Sequence, residues 1–299
     1  MPPAQSILGV THSAVTFDVP KGACDCHTHV FGPDEKFPLS PERRYTPAAA
    51  SIADLEALHR LLHIDRVVVV HPSPYGADNA CTVDAVRRMG ARARGVAVID
   101  DKTSDAELAT MHEAGIRGVR VNLESSGVSD PSAAERRLQY ASARVARLGW
   151  HVQTYTNLDV LAPLTKAIMQ LPTPLVVDHF GLAQAALGTA QPGFAELLSL
   201  LLSGKIYVKI SAAYRISQMP DHADATPMAR AIMDANPDRV VWGTDWPHPG
   251  GGSRGDPAAV EPFRKIDNGA ALNRLASWTK DSKELTKILV DNPARLYQF

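Results

Sequence analysis

Short, β-branched apolar runs recur along the chain, with stretches of helical periodicity between most of them. Eight stand out: ACDCHTHVF at 23–31, RVVVVHP at 66–72, GVAVID at 95–100, GVRVNL at 118–123, WHVQTY at 150–155, PLVVDHF at 174–180, IYVKIS at 206–211 and RVVWGTDW at 239–246. Several are apolar without clean alternation, the pattern of parallel strands covered on both faces. The segments between them carry helix start signals. SIADLEALHRLLH opens at Ser51, and TSDAELATMHEAG sets Ser104 three residues ahead of Glu107 and closes on Gly115. SDPSAAERRLQYASARVARLG leads into the fifth run.

Eight strands in β/α order within 299 residues predict the α/β class and a single (β/α)8 TIM barrel over residues 23–299. Residues 1–22 are expected as an N-terminal arm and 270–299 as a closing helix. A doubly wound open sheet is the rival, but no G-x-G-x-x-G follows any run, so a dinucleotide fold has no support.

Composition narrows the partners. The chain is 45% hydrophobic and 21% charged with a formal net charge of -1. There is no cationic surplus to neutralise phosphates, so nucleic acid and anionic membranes are not expected partners and a small-molecule substrate is. Monomer and homo-oligomer both stay open. The N-terminus lacks a charged segment followed by an apolar one, and no stretch reaches 18 uninterrupted apolar residues, which predicts a cytoplasmic protein. Cys24, Cys26 and Cys81 form neither a paired framework nor a C-x-x-C motif and are expected to be reduced and structural.

A TIM barrel carries its active site at the C-terminal ends of its strands, so the residues ending each run are the candidates. They are strongly polar: His27 and His29; His71 and Ser73; Arg120 and Asn122; Tyr155; Asp178 and His179; Lys209, Ser211 and the following Arg215; Asp245 and the nearby His248. His27 and His29 stand two apart, so an extended strand points both to one face. Joined by His179 and Asp245 at later strand ends, they predict a ligand-facing cluster. His63, His112 and His151 fall on helical segments or at a strand start and are read as structural. His71 ends a strand ahead of a proline and either joins the site or lines it.

DCHTHVFGP, VVDHFG, VVWGTDWPHP and the closing NPARLY, in this order, resemble the amidohydrolase superfamily and in particular its lactonase branch. The resemblance runs from about Pro20 to Tyr297 and takes in FPLSPERRYTP, GADNACTVDAV and GIRGVRVN. Two-metal members of the superfamily add a carboxylated lysine on strand four and a histidine on strand five. Here GVRVNL has no lysine and the fifth run ends in Tyr155, so a bridged two-metal site is not expected.

The lactonase branch implies a metal-free reaction, with no cofactor required. His27, His29 and His179 would polarise the lactone carbonyl while Asp245 activates water. Three imidazoles and a carboxylate also suffice for one divalent ion, most naturally zinc held by His27, His29, His179 and Asp245, and this alternative stays open. The resemblance further places Tyr45, Ser73, Arg120, Tyr155, Arg215 and His248 at the substrate; arginine suits a carboxylate because its planar fork offers paired donors. One departure matters. Where the branch has a further arginine after VRVNL, this chain reads Glu124-Ser125-Ser126, which argues against a doubly charged pyrone and for a singly charged or neutral lactone.

The expected function is therefore a catabolic hydrolase opening a small, carboxylated lactone. The alternatives are a mononuclear zinc lactonase or decarboxylase of the same superfamily, and a non-catalytic barrel binding a carboxylated ligand. Asp245 speaks against the last, since a binder of anions gains nothing from a carboxylate there.

Overall fold

The computed structural model describes residues 6–250 and 256–299; the first five residues of the expected N-terminal arm lie outside them. The chain divides into two compact units, residues 1–116, 244–277 and 299 in one, and 117–243 with 278–298 in the other.

In the first unit three parallel strands, β1 (Cys24–Thr28), β2 (Arg66–Val70) and β3 (Ala93–Ala97), pair in the order β3-β2-β1. Val67, Val68, Val69 and Val70 are all fully buried, which explains the absence of alternation in that run. The register of β1 against β2 slips between Asp25 and Thr28, a bulge beside the histidines. Helices α1 (Ile52–Leu62) and α3 (Asp105–Glu113), with α2 (Ala80–Met89) between them, cover this segment. Ser51 and Ser104 each close a capping box, with Asp54 and Glu107 as the reciprocal partners; such caps contribute about 1 kcal/mol apiece. The arm forms a small antiparallel hairpin, Ser6–Ile7 with Val10–Thr11, and Ser13 binds Asp267.

The second unit holds the other five strands: β4 (Ile116–Asn122, whose first residue belongs to the first unit), β5 (His151–Tyr155), β6 (Leu175–Val177), β7 (Ile206–Lys209) and β8 (Val240–Val241), neighbours in chain order and parallel. All eight expected strands are present. Helix α4 (Pro131–Val145), capped by Asp130, leads into β5. Gly118 sits where a Cβ would come 2.5 Å from the His151 ring, so only glycine lets β4 and β5 approach there. His151 itself packs edge-on against Tyr297, as befits a structural histidine.

The centre of this unit is ionic. Lys209 and Asp178 are fully buried, their Nζ and Oδ1 3.3 Å apart, and Gln153 bridges them by accepting from Lys209 at 2.6 Å and donating to Asp178 at 2.9 Å. The C-terminal region differs from the single helix expected over 270–299. It is divided into Asn268–Trp278, Ser282–Thr286, a π-helical turn Lys287–Asp291 and Asn292–Tyr297. Asp281 caps the second segment through Glu284 N–H, and Pro293, lacking an amide hydrogen, fits the start of the last.

Candidate active site

The first unit brings together three of the predicted site residues. His27 and His29 leave the end of β1, and the chain that follows β8 returns Asp245 against them. Asp245 N–H donates to the His27 carbonyl at 2.8 Å, and His29 N–H donates to the Trp246 carbonyl at 2.8 Å. These backbone bonds set the side chains: Nε2 of His27 and Nε2 of His29 each lie 3.6 Å from Oδ1 of Asp245, with all three residues buried. The imidazoles meet edge to face, ring centroids 5.1 Å apart.

His29 Nδ1 donates to the Val70 carbonyl at 2.8 Å. A carbonyl only accepts, so Nδ1 carries the proton, and Nε2, facing Asp245, is protonated only in the imidazolium form. A bare imidazole lone pair against a carboxylate would be two acceptors face to face in a buried site. A proton or a divalent cation between them relieves that conflict. The donor set, two imidazole nitrogens and a carboxylate oxygen with one ring anchored through its other nitrogen, therefore fits a single zinc ion as well as it fits a protonated pair.

Asp245 and His248 hold φ of +66° and +69°, the left-handed region that residues with a Cβ rarely adopt, and His248 N–H donates to the Asp245 carbonyl at 2.8 Å. The turn places the carboxylate at some cost in backbone strain. His71 follows β2 and is buried. Its Nε2 donates to the Gly76 carbonyl at 2.9 Å and its Nδ1 accepts from Thr82 at 3.3 Å, so the ring shapes the loop after β2. Ser73 is exposed on that loop, and Tyr45 is half-buried beside the short parallel pair of Thr46–Pro47 with Val260–Glu261.

The second unit gathers four more. His179, also at positive φ (+50°), packs edge-on against Tyr155 at 5.5 Å, and its Nδ1 shares a hydrogen with Ser211 Oγ at 2.8 Å. The guanidinium groups of Arg120 and Arg215 stand 5.7 and 5.8 Å from the centre of the same Tyr155 ring. Two cations thus flank one aromatic ring. Glu124 accepts from Asn157 at 3.0 Å, and its amide donates to the Tyr155 carbonyl, so the acid that departs from the branch pattern sits on the adjoining loop. Near the ion pair, burial and then Lys209 push the pKa of His151 down to about 3.

Ser211 is among the strand-end candidates of the sequence, whereas Asp25, His59 and Thr244 are not. Asp25 stands two before His27, so strand parity is a usable signal for it. His59 and Thr244 have none.

Buried imidazoles with a carboxylate, set at the ends of parallel strands, define a hydrolytic enzyme of the α/β barrel class. The chain belongs to the amidohydrolase family, whose model matches residues 24–299. It is 38% identical to a 2-pyrone-4,6-dicarboxylate hydrolase of Comamonas testosteroni over 94% of this chain and 92% of that one. It is 37% identical to a 4-sulfomuconolactone hydrolase of Rhizobium radiobacter over 95% and 92%. The crystal structure of a putative 2-pyrone-4,6-dicarboxylic acid hydrolase from Pseudomonas putida superposes with a TM-score of 0.79 at 30% identity, over 93% of this chain and 97% of that one. The fold is the TIM barrel of the amidohydrolases, as the strand count predicts.

Proposed function

We propose that the protein is a lactone hydrolase that opens a small lactone carrying one anionic group, with Asp245 as the base. The observation that carries this reading is the single carboxylate oxygen held 3.6 Å from two buried imidazole nitrogens. Relatives named for a pyrone dicarboxylate and a sulfomuconolactone, each a ring ester with acidic substituents, support the substrate class.

The family resemblance adds His179, which follows β6, as a third carbonyl contact with His27 and His29. Imidazolium N–H groups at those positions donate to the lactone carbonyl oxygen. Asp245 takes a proton from water as the hydroxide adds to the carbonyl carbon, giving a tetrahedral oxyanion that the histidines stabilise. Collapse of that intermediate breaks the bond to the ring oxygen, and the proton held by Asp245 returns to the departing oxygen or to solvent. The product is the ring-opened hydroxy or enol carboxylate. Arg120 and Arg215 bind the anionic substituent over Tyr155, while Tyr45, Ser73 and His248 complete the pocket.

No cofactor is required by this sequence of proton movements. Were a zinc ion bound, His27, His29, His179 and Asp245 would hold it, and it would polarise the carbonyl or acidify water.

The test is proton release by purified, metal-analysed protein against a panel containing 2-pyrone-4,6-dicarboxylate, 4-sulfomuconolactone, monocarboxylated muconolactones and sugar lactones, with and without zinc. Hydrolysis without stoichiometric metal supports the metal-free mechanism. Activity only with zinc moves the role of the histidines to metal ligands, and no hydrolysis of any lactone removes the proposed activity.

A further inference from the structure

Asp25 is buried completely at the root of the site and takes no part in the chemistry above. Its Oδ1 accepts from the backbone amides of Thr244, at 2.9 Å, and of His27, at 3.2 Å. Its Oδ2 accepts from the Thr244 hydroxyl at 2.6 Å, and that hydroxyl in turn accepts from Trp246 N–H at 3.0 Å. One carboxylate thus holds the amide of His27 and both sides of the turn that carries Asp245.

The remaining contact to Oδ2 is His59 Nε2, 3.4 Å away and reaching in from α1. His59 is buried as well, and its other nitrogen, Nδ1, lies 3.2 Å from Nη2 of Arg92. A guanidinium only donates, so Nδ1 accepts and the proton of the neutral ring sits on Nε2, aimed at Asp25. Arg92 is held in turn by Glu56, at 3.3 Å, and by the Asp65 carbonyl, at 3.3 Å. Every link has a fixed direction: the half-buried Arg92 donates to His59 and His59 to Asp25, which also accepts from Thr244 on the other side.

We propose that Asp25, oriented by His59, is the positioning residue that sets the Asp245 carboxylate against His27 and His29. The inference rests on the proposed role of Asp245 as base. Asp245 is held in the left-handed region, and the Asp25 bonds to Thr244 on one side and, through the Thr244 hydroxyl, to Trp246 on the other hold the turn that keeps it there. A carboxylate with two amides and a hydroxyl directed at it, locked by an imidazole whose tautomer is itself dictated, is built for orientation.

Two substitutions at His59 test this. His59→Leu fills the space and removes the donor; His59→Gln keeps an N–H at similar reach. On whichever panel lactone the wild type opens, His59→Leu is expected to lower kcat roughly tenfold to a hundredfold with KM changed less than about twofold, and His59→Gln to restore most of kcat. Equal kcat losses in both variants, following a loss of thermal stability, would show that His59 only packs and would overturn the proposal, as would unchanged kcat in His59→Leu. A measurement independent of turnover separates this from failure of the lactonase reading. Crystal structures of the wild type and of His59→Leu should show the Asp245 carboxylate leaving its 3.6 Å position against His27 and His29 in the variant. An undisplaced Asp245 would refute the positioning role even if no lactone is hydrolysed.

Discussion

Oδ1 of Asp245 lies 3.6 Å from Nε2 of His29, the nitrogen left facing it because Nδ1 is committed to the Val70 carbonyl. In the proposed reaction the carboxylate accepts a proton from water while the histidine donates to the carbonyl that water attacks, a division of labour that needs both groups in one small volume. Asp245→Asn keeps the shape and removes the basicity. It is expected to lower kcat by roughly 10²- to 10⁴-fold with little change in KM or melting temperature, measured by steady-state kinetics on the panel lactone and by thermal unfolding. Turnover at the wild-type rate would remove Asp245 as the base.

How much of the fold and site is legible in the sequence depends on how far apart the interacting residues are. The eight strands can be read because each is a local run whose β-branched residues are buried on both faces; β2, with four consecutive buried valines, is the clearest case. Their ends cannot. The eighth run spans RVVWGTDW, yet its regular pairing with β7 stops after Val241, and the residues beyond pair through an isolated bridge of Trp246 with Thr28 beside the left-handed Asp245. The H-x-H pair is visible through its spacing, whereas what orients it is not: Val70 lies 41 residues from His29, and Thr244 lies 219 from Asp25. A single closing helix does not form because the chain breaks at 279–281, where Asp281 caps a new segment.

Arg120 and Arg215, both close to the Tyr155 ring, should discriminate by substrate charge. A charge-assisted hydrogen bond contributes about 1.5–3 kcal/mol, so Arg120→Met or Arg215→Met is expected to lower kcat/KM for an anionic lactone by roughly 10- to 100-fold. The same substitutions should leave a neutral sugar lactone nearly unaffected. Parallel kinetics on the two substrates check this. Equal losses on both would mean that the arginines support the fold and do not read the anion.

The buried Lys209–Asp178 pair predicts an asymmetric response to substitution. Removing one partner strands the other charge at zero exposure, so Lys209→Met should cost about 3–5 kcal/mol by denaturant unfolding. Replacing both, as Lys209→Met with Asp178→Leu, should recover part of that loss, because an apolar pair has no charge to desolvate. His179 follows Asp178 directly, so turnover of the double variant is expected to stay low even where stability returns.

His151 provides a pH dependence whose sign is opposite to that of a histidine gaining an anionic partner. Burial, and then the nearby Lys209, hold its pKa down to about 3, against 6.5 for an ordinary imidazole. Above pH 6.5 the ring is neutral folded and unfolded, and contributes no pH dependence. As pH falls toward 3 the unfolded chain binds a proton that the folded chain refuses, so stability declines across that window by about 1.4 kcal/mol per unit at the steepest. The depressed folded-state pKa thus marks stability that is fully present above 6.5 and is drained on acidification until the folded ring itself titrates. His151→Leu, which fits against Tyr297 without an ionisable group, should flatten this part of the curve. Urea unfolding from pH 7.5 to pH 4 in wild type and variant measures the difference; parallel curves would mean that His151 titrates alike in both states and that acid sensitivity arises elsewhere.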